Sequence, residues 1–363
     1  MTLRSKDRVD TTGIDHLLVP GLYLGKPCVL DAMPGDTTLI LGAGFSRPAG
    51  GPLLRELLSK DVRARSDADP SSLEVLSNLI EGRDGPVENG TVTLEDVFTN
   101  LWREARTAGR IRMGEERYSA EALLSQMIIH LASVCGEVRV RRSTNLWTIY
   151  LAFFHHFFEE SRSLTLITFN YDLLAEQILD DLGLRYDYGP AEMIEFDNSR
   201  RRRRLRRSGS ELSLLKLHGS ANWGVCRGCP ESGKYIDKVT AFERPYVPIR
   251  RKSCPWCGGK FLEAAIVPPI LGKAGEGRHI GPIWGLARRS LERAREVVVV
   301  GYSLPSSDVE ALSLLREVDA PGKRPRITIV CGPRGAPPGY KNVFSGFKDT
   351  GEYFEDFALR LLD

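Results

Sequence analysis

His218 and Asn170 carry side chains suited to moving or ordering a proton, and each stands at the end of an apolar run. His218 follows Leu214-Leu-Lys-Leu217 and precedes Gly219-Ser220, while Asn170 follows Leu166-Ile-Thr-Phe169 and lies two residues before Asp172. An imidazole with its ordinary pKa of about 6.5 is largely neutral at cell pH and can take up a proton. A carboxamide both donates and accepts. Two glycine-bearing segments end apolar runs in the same way: Gly42-Ala43-Gly44-Phe45-Ser46 after Leu39-Ile-Leu41, and Gly301-Tyr302-Ser303-Leu304 after four valines. Gly42 and Gly44 let a backbone approach a pyrophosphate, and the amino end of a following helix offers free amides to negative charge. The loop has no lysine and is neither a P-loop nor a complete GxGxxG fingerprint, so it also reads as a plain strand-to-helix turn.

Four of the seven cysteines form two pairs, Cys226-x-x-Cys229 and Cys254-x-x-Cys257, with 24 residues between them. Each knuckle brings two thiolates within reach of one tetrahedral ion, and Gly228, Pro255 and Gly258 supply the sharp turns. Four sulfur ligands leave no open position for water, so the expected Zn2+ is structural. Either pair taken singly also reads as a redox dithiol. Cys28, Cys135 and Cys331 are isolated in mostly apolar contexts, as reduced thiols rather than a disulfide framework.

A sheet has to hold these groups together. Thr37–Leu41, Leu164–Phe169, Leu212–Leu217, Val297–Val300 and Ile327–Val330 read as buried parallel strands that deliver their last residues to one carboxyl edge, where nucleotides bind. Apolar spacing predicts helices near 53–58, 173–182 and 309–316, completing an alternating α/β pattern. Between the first two core strands the spacing is helical, from Leu73, Val75 and Leu76 through Leu94, Val97 and Phe98 to Leu146–Phe158. The chain divides into an extension over 1–36, a core over 37–70 and 161–363, and a helical insertion over 71–160 that caps a cleft or makes an oligomer interface. A cysteine-bearing ribbon over 223–263 lies within the core.

With 363 residues and 42% hydrophobic content the chain can bury a full core, and its 50 basic against 47 acidic residues give no overall bias toward nucleic acid or membrane. The seven arginines between Arg200 and Arg207 read as a solvated, mobile loop, since no aromatic residues interleave them to stack bases. A docking strip for nucleic acid or an acidic partner is the less favoured reading. No apolar run approaches the roughly 18 residues of a membrane span, and Met1-Thr-Leu-Arg-Ser-Lys-Asp-Arg8 has no signal-type stretch behind it. A cytoplasmic location is expected.

The segments Leu39–Ser46, Leu166–Asp172, Leu215–Ser220 and Val297–Leu304, in that order, resemble the sirtuin family. Its NAD-binding core carries a GAGxS-type glycine loop, an Asn-x-Asp segment, a His-Gly pair and a Gly-x-Ser loop. The resemblance spans about Thr38 to Cys331. It implies an α/β fold with a Rossmann-like parallel sheet of sirtuin type, carrying the helical insertion and a four-cysteine zinc ribbon. It implies NAD as substrate, with Asn170 at the ribose or an attacking water and His218 as general base. Gly42, Ala43, Gly44, Phe45 and Ser46 take the phosphate-loop positions, Asp172 an acidic position near ribose, Gly301 and Ser303 the phosphate and ribose loop, and Cys331 a place near adenine. The first cysteine knuckle begins eight residues past His218, where sirtuins carry their zinc module. Asn170-Tyr-Asp172 and Asp308 also read as helix caps.

Two places depart from the family's protein deacylases. Where those carry a Gly-Ile-Pro-Asp-Phe-Arg type segment this chain has Arg47-Pro-Ala-Gly-Gly-Pro52, and where they carry a Phe-Gly-Glu type strand for the acyl-lysine peptide it has Ala265-Ile-Val-Pro-Pro-Ile270. Without an acyl oxygen to capture the sugar, water is the available nucleophile, so the expected activity is hydrolysis of NAD to nicotinamide and ADP-ribose. The Phe-Asn-Tyr-Asp and Gly-Tyr-Ser-Leu variants and the insertion resemble the bacterial sirtuin-like group of antiphage defence. That resemblance implies a regulated effector, as a homo-oligomer or with a partner defence protein such as an ATPase. The alternatives are an NAD-dependent protein-lysine deacylase and a non-catalytic sensor or scaffold binding NAD or ADP-ribose.

Overall fold

The computed structural model describes residues 36–81, 93–113, 115–189, 194–196, 202–204, 211–226, 238–242, 263–270, 280–305, 308–319, 322 and 325–362. The expected extension before Asp36 and the metal-ligand positions Cys229, Cys254 and Cys257 lie outside them.

The fold is α/β and built on a parallel sheet. Its strands are β1 (Asp36–Leu41), β2 (Ser163–Thr168), β3 (Tyr186–Asp187), β4 (Leu212–Lys216), β5 (Glu296–Val300), β6 (Arg326–Val330) and β7 (Lys348–Asp349). They run in the order β7-β6-β5-β1-β2-β4-β3. At the centre, Leu39 sits between Val298 of β5 and Leu166 of β2. Strands covered on both faces read as continuous apolar runs, and Val297–Val300 are all buried. The connection from β1 leads toward β2, whereas β5 on the other flank leads away to β6. The crevice outside the carboxyl ends of β1 and β5 is therefore the topological switch point of the sheet, where such folds place a ligand.

Among the described residues the longer helices are α1 (Pro70–Glu81), α2 (Leu94–Arg106), α3 (Ala120–Gly136), α4 (Asn145–Glu160), α5 (Leu174–Asp181), α6 (Gly281–Arg293), α7 (Val309–Arg316) and α8 (Phe354–Arg360). The helical stretch between β1 and β2 is shared by two apolar clusters. Leu73, Leu76, Phe98, Leu101, Leu123 and Met127 join Leu57 and Leu58 in one of them, which reaches Ile266 and Ile270. Helix α4 instead packs on the sheet through Tyr150, Phe153 and Phe154. The helix expected over 53–58 is only a turn at Leu54–Glu56 followed by the short helix Lys60–Arg63. Gly50, Gly51 and Pro52 stand immediately before it and favour a turn over a helix.

A second sheet has the order Glu263–Ile266, Gly219–Cys226, Lys238–Phe242, Ile194–Phe196, Arg202–Arg204. Three of the run of arginines thus form a strand, antiparallel to Ile194–Phe196, which corrects the expectation of a loop at those positions. Backbone pairing to a neighbouring strand decides this, and charge does not forbid it on an edge.

Candidate active site

The loops after β1 and β5 interlock through their backbones. Gly42 N–H donates to Val300 O at 2.9 Å, Gly44 N–H to Gly301 O at 2.8 Å, and Gly301 N–H to Val330 O at 2.8 Å. A Cβ on Gly42 would lie 2.4 Å from the Tyr302 Cα, and one on Gly301 would lie 2.2 Å from the Phe45 nitrogen. Gly301 also has φ +65°, a conformation L side chains disfavour. These glycines are therefore required for loop-to-loop contact. With Phe45 N–H donating to Gly42 O at 2.9 Å, the amides of residues 42, 44 and 45 are spent inside the protein. The Ala43 N–H, at the amino end of the Ala43–Ser46 helix, is outside that backbone network.

The structure also separates Phe45 from its neighbours in the loop. Its ring is buried among Tyr150, Phe153, Phe154 and Phe354, with centroids 4.9–6.0 Å away. The Tyr150 hydroxyl donates to Phe45 O at 2.6 Å. The Phe45 side chain thus anchors the loop in the core. Ala43, Gly44, Ser46, Asn170, Asp172, His218, Gly301, Ser303 and Cys331 line one cleft of about 1110 Å³.

Asn170 reaches back across the sheet edge to the glycine loop. Its Nδ2 donates to Gly42 O at 2.8 Å and to Ser46 Oγ at 3.0 Å. A carbonyl oxygen only accepts, so the amide orientation is fixed with Oδ1 directed away from Gly42. Its own backbone N–H is satisfied by Thr168 Oγ1 at 3.0 Å. Asp172 is buried, and its Oδ1 accepts from Leu174 N–H at 3.1 Å in a local turn that leads into α5 while the residue lines the cleft.

His218 occupies the turn where the chain leaves the parallel sheet for the second one. Gly219 follows with φ +82°, and a Cβ there would lie 1.8 Å from Ala265 O, so the close approach of two strands imposes glycine after His218. The imidazole is buried, 5.2 Å from the Phe169 ring and 6.4 Å from that of Trp284. Its Nε2 lies 3.5 Å from Asp308 Oδ2. Asp308 stands at the N-cap position of α7 without making a side-chain cap hydrogen bond. Its carboxylate accepts instead from the Tyr302 hydroxyl at 2.8 Å. Behind the site, fully buried Lys216 pairs with Glu176 at 2.8 Å and also donates to the Asp172 carbonyl.

Burial, then the charge of Asp308 and its hydrogen bond, hold the Tyr302 phenol well above the usual tyrosine range. Tyr171 is raised as well, burial first and then the neighbouring Cys135 and Asp308. Both phenols stay protonated donors at physiological pH, so neither is a base. Burial, with the charge of Asp349, pushes the Cys331 thiol up to about 11, and its Sγ faces Tyr302 O at 3.4 Å. The cleft also has Arg55 and Arg334 in its wall. Neither these arginines nor Tyr302 were singled out by sequence reasoning, because an isolated arginine or tyrosine in a loop carries no spacing signal.

Cys226 ends the Gly219–Cys226 strand, and its three proposed co-ligands fall outside the described residues. Among the described residues there is no cluster of metal-ligating side chains, and no helix is long and apolar enough to cross a membrane.

No family model and no curated protein matches the sequence. Among solved structures the chain is similar to a Sir2 homologue mutant in complex with ADP ribose, at 16% identity over 90% of this chain and 91% of that one, with a TM-score of 0.42. It is similar to Sir2Tm bound to a propionylated peptide at 15% identity, with the same coverage and a TM-score of 0.43. A Sir2 complex with a peptide and NAD+ matches at 17% identity and a TM-score of 0.39.

Proposed function

We propose that the cleft hydrolyses NAD at the bond joining nicotinamide to ribose. The observation that carries this reading is that Asn170, His218 and the two interlocked loops all line one cleft at the switch point of the sheet. Nicotinamide leaves as a neutral amine from a cationic ring, taking the bonding electron pair, so no acid is needed and the sugar passes through an oxocarbenium-like state. The fixed amide of Asn170 presents Oδ1 to a ribose hydroxyl or to the incoming water. His218 accepts the proton as the water oxygen bonds to C1′. Ala43, Gly44, Ser46, Gly301 and Ser303 form the wall toward phosphates and ribose, Gly42 braces it through its carbonyl, and Asp172 and Cys331 complete the wall. Arg55 and Arg334 supply positive charge.

Hydrolysis is favoured over protein-lysine deacylation by the backbone at Val267, in the stretch where deacylases pair with their peptide. Its N–H donates to His218 O at 2.9 Å and its carbonyl accepts from the Tyr171 hydroxyl at 2.8 Å. Those groups are engaged within the chain, which disfavours strand addition at that residue. Cys226, Cys229, Cys254 and Cys257 have the donor chemistry of a closed zinc site that would brace the ribbon. The wider reading, also proposed, is a cytoplasmic, regulated effector of bacterial antiphage defence that assembles with itself or with a partner such as an ATPase.

Purified protein incubated with NAD alone tests the reaction, with candidate partners, nucleic acid and nucleotide signals added in turn. The expected products are nicotinamide and ADP-ribose, lost in His218→Ala with the fold retained. Formation of O-acyl-ADP-ribose only when an acyl peptide is added would replace hydrolase by deacylase, and binding without turnover would leave a sensor. Metal analysis should return about one zinc per chain.

A further inference from the structure

We infer that Asp308 is the buried counter-charge of His218, a positioning residue that steadies the imidazolium formed when His218 takes up a proton. The inference builds on the hydrolase reading for its purpose but not for its geometry. Asp308 is 3% exposed and stands where a helix-capping carboxylate would turn to the amides of α7, yet it makes no side-chain cap bond. The carboxylate turns inward, with Oδ2 2.8 Å from the Tyr302 hydroxyl and 3.5 Å from His218 Nε2.

Tyr302 is itself held fast. Its ring stacks on Phe169 at 4.1 Å with 12° between planes, and its backbone carbonyl accepts from the Tyr340 hydroxyl at 2.7 Å. Because the phenol donates to it, the carboxylate is stabilised in its charged form. Among the described residues, Phe169 and Tyr171 after β2, Trp284 of α6 and Asp308 before α7 face the imidazole, with Tyr302 reaching it through Phe169 and Asp308. The Tyr171 hydroxyl is turned to Val267 O, and the Tyr302 hydroxyl to Asp308. Of these described neighbours, Asp308 is the one that carries a charge. In a site screened from water an anion at this range favours the protonated ring. A base so paired gains driving force for removing a proton from water or a ribose hydroxyl.

The test is an NMR titration of the His218 imidazole in the full chain without NAD, its signal assigned by loss in His218→Gln. In Asp308→Asn the midpoint should fall by about one pH unit. Where NAD is turned over, kcat should fall about tenfold with KM little changed, and Asp308→Glu should restore part of both. An unchanged midpoint in folded Asp308→Asn overturns the inference. If that variant does not fold, Tyr302→Phe serves: removing the competing donor should raise the midpoint, and an unchanged or lowered one overturns it. A shifted midpoint in a chain that never cleaves NAD would sink the hydrolase reading alone, and an unshifted one in an active chain would sink this pairing alone.

Discussion

The two ends of the cleft are built from different materials. The end formed by Gly42, Gly44 and Gly301 is backbone against backbone, with amides and carbonyls spent on one another. The end formed by His218 and Asp308 is made of side chains from separate segments that meet directly and through Phe169 and Tyr302, while the Asn170 side chain links it to the glycine loop at Gly42 and Ser46. A backbone lock tolerates almost no added atom, because neither partner can move without moving its strand. A side-chain constellation tolerates changes of shape but depends on charge and hydrogen bonding. The first sets the frame of the cleft, and the second supplies groups able to accept or order a proton there.

Substitutions in the backbone lock should therefore carry the largest effect. Gly301→Ala places a methyl against the Phe45 nitrogen and requires an alanine at φ +65°. We expect it to cost about 4 kcal/mol of stability and to abolish NAD binding. Thermal unfolding and ligand titration check this. A variant of near wild-type stability would show that the two loops separate easily and that the frame is soft.

The same contrast explains what the sequence made readable. The strands β1, β2, β4, β5 and β6 are visible because both faces are covered, and an unbroken apolar run follows from that. Gly42, Gly44, Gly219 and Gly301 are visible because close approach admits only glycine. The short edge strands Tyr186–Asp187 and Lys348–Asp349 were not readable, since two residues carry no period. Helix Gly281–Arg293 was also missed, its polar, arginine-rich face diluting the apolar spacing of Ile283, Ala287 and Leu291. In the site, Asp308 read equally well as a cap, because the residue type and its position before a helix are the same in both roles. Only the direction of its carboxylate separates them. The inward turn of Phe45 is hidden for a similar reason: its partners Tyr150 and Phe354 are far away in sequence and brought together by packing.

At the side-chain end, the largest loss of stability should come from the support behind it and not from His218 or Asp308. Lys216 is fully buried, and its ammonium is held by Glu176 and by the carbonyl of Asp172, on the loop that carries Asn170. Glu176→Ala leaves that charge without its carboxylate and should cost about 3 kcal/mol. Replacing both residues together, Lys216→Met with Glu176→Leu, should recover most of the loss, since neither charge then remains buried. Chemical denaturation of the single and double variants measures the difference. If the double variant is no better than the single, the pair acts through specific geometry at Asp172 and not through charge burial.

The smallest effect is expected at Cys331, a side chain of the cleft wall that the proposed reaction does not use. Its thiol is pushed up to about 11 chiefly by burial, with Asp349 adding to it. A raised thiol pKa means the reactive thiolate is scarce below that pH. The alkylation rate of folded protein should therefore rise about tenfold for each pH unit between 7 and 10, and lie well below that of the unfolded chain. Peptide mass spectrometry after timed iodoacetamide treatment reads this directly. Cys331→Ser should leave unfolding unchanged to within about 1 kcal/mol, with Oγ able to make the same contact to Tyr302 O. Rapid labelling at pH 7 would mean that the wall next to the Gly301 loop opens to solvent. The rigid character assigned to the backbone end of the cleft would then stop short of Cys331.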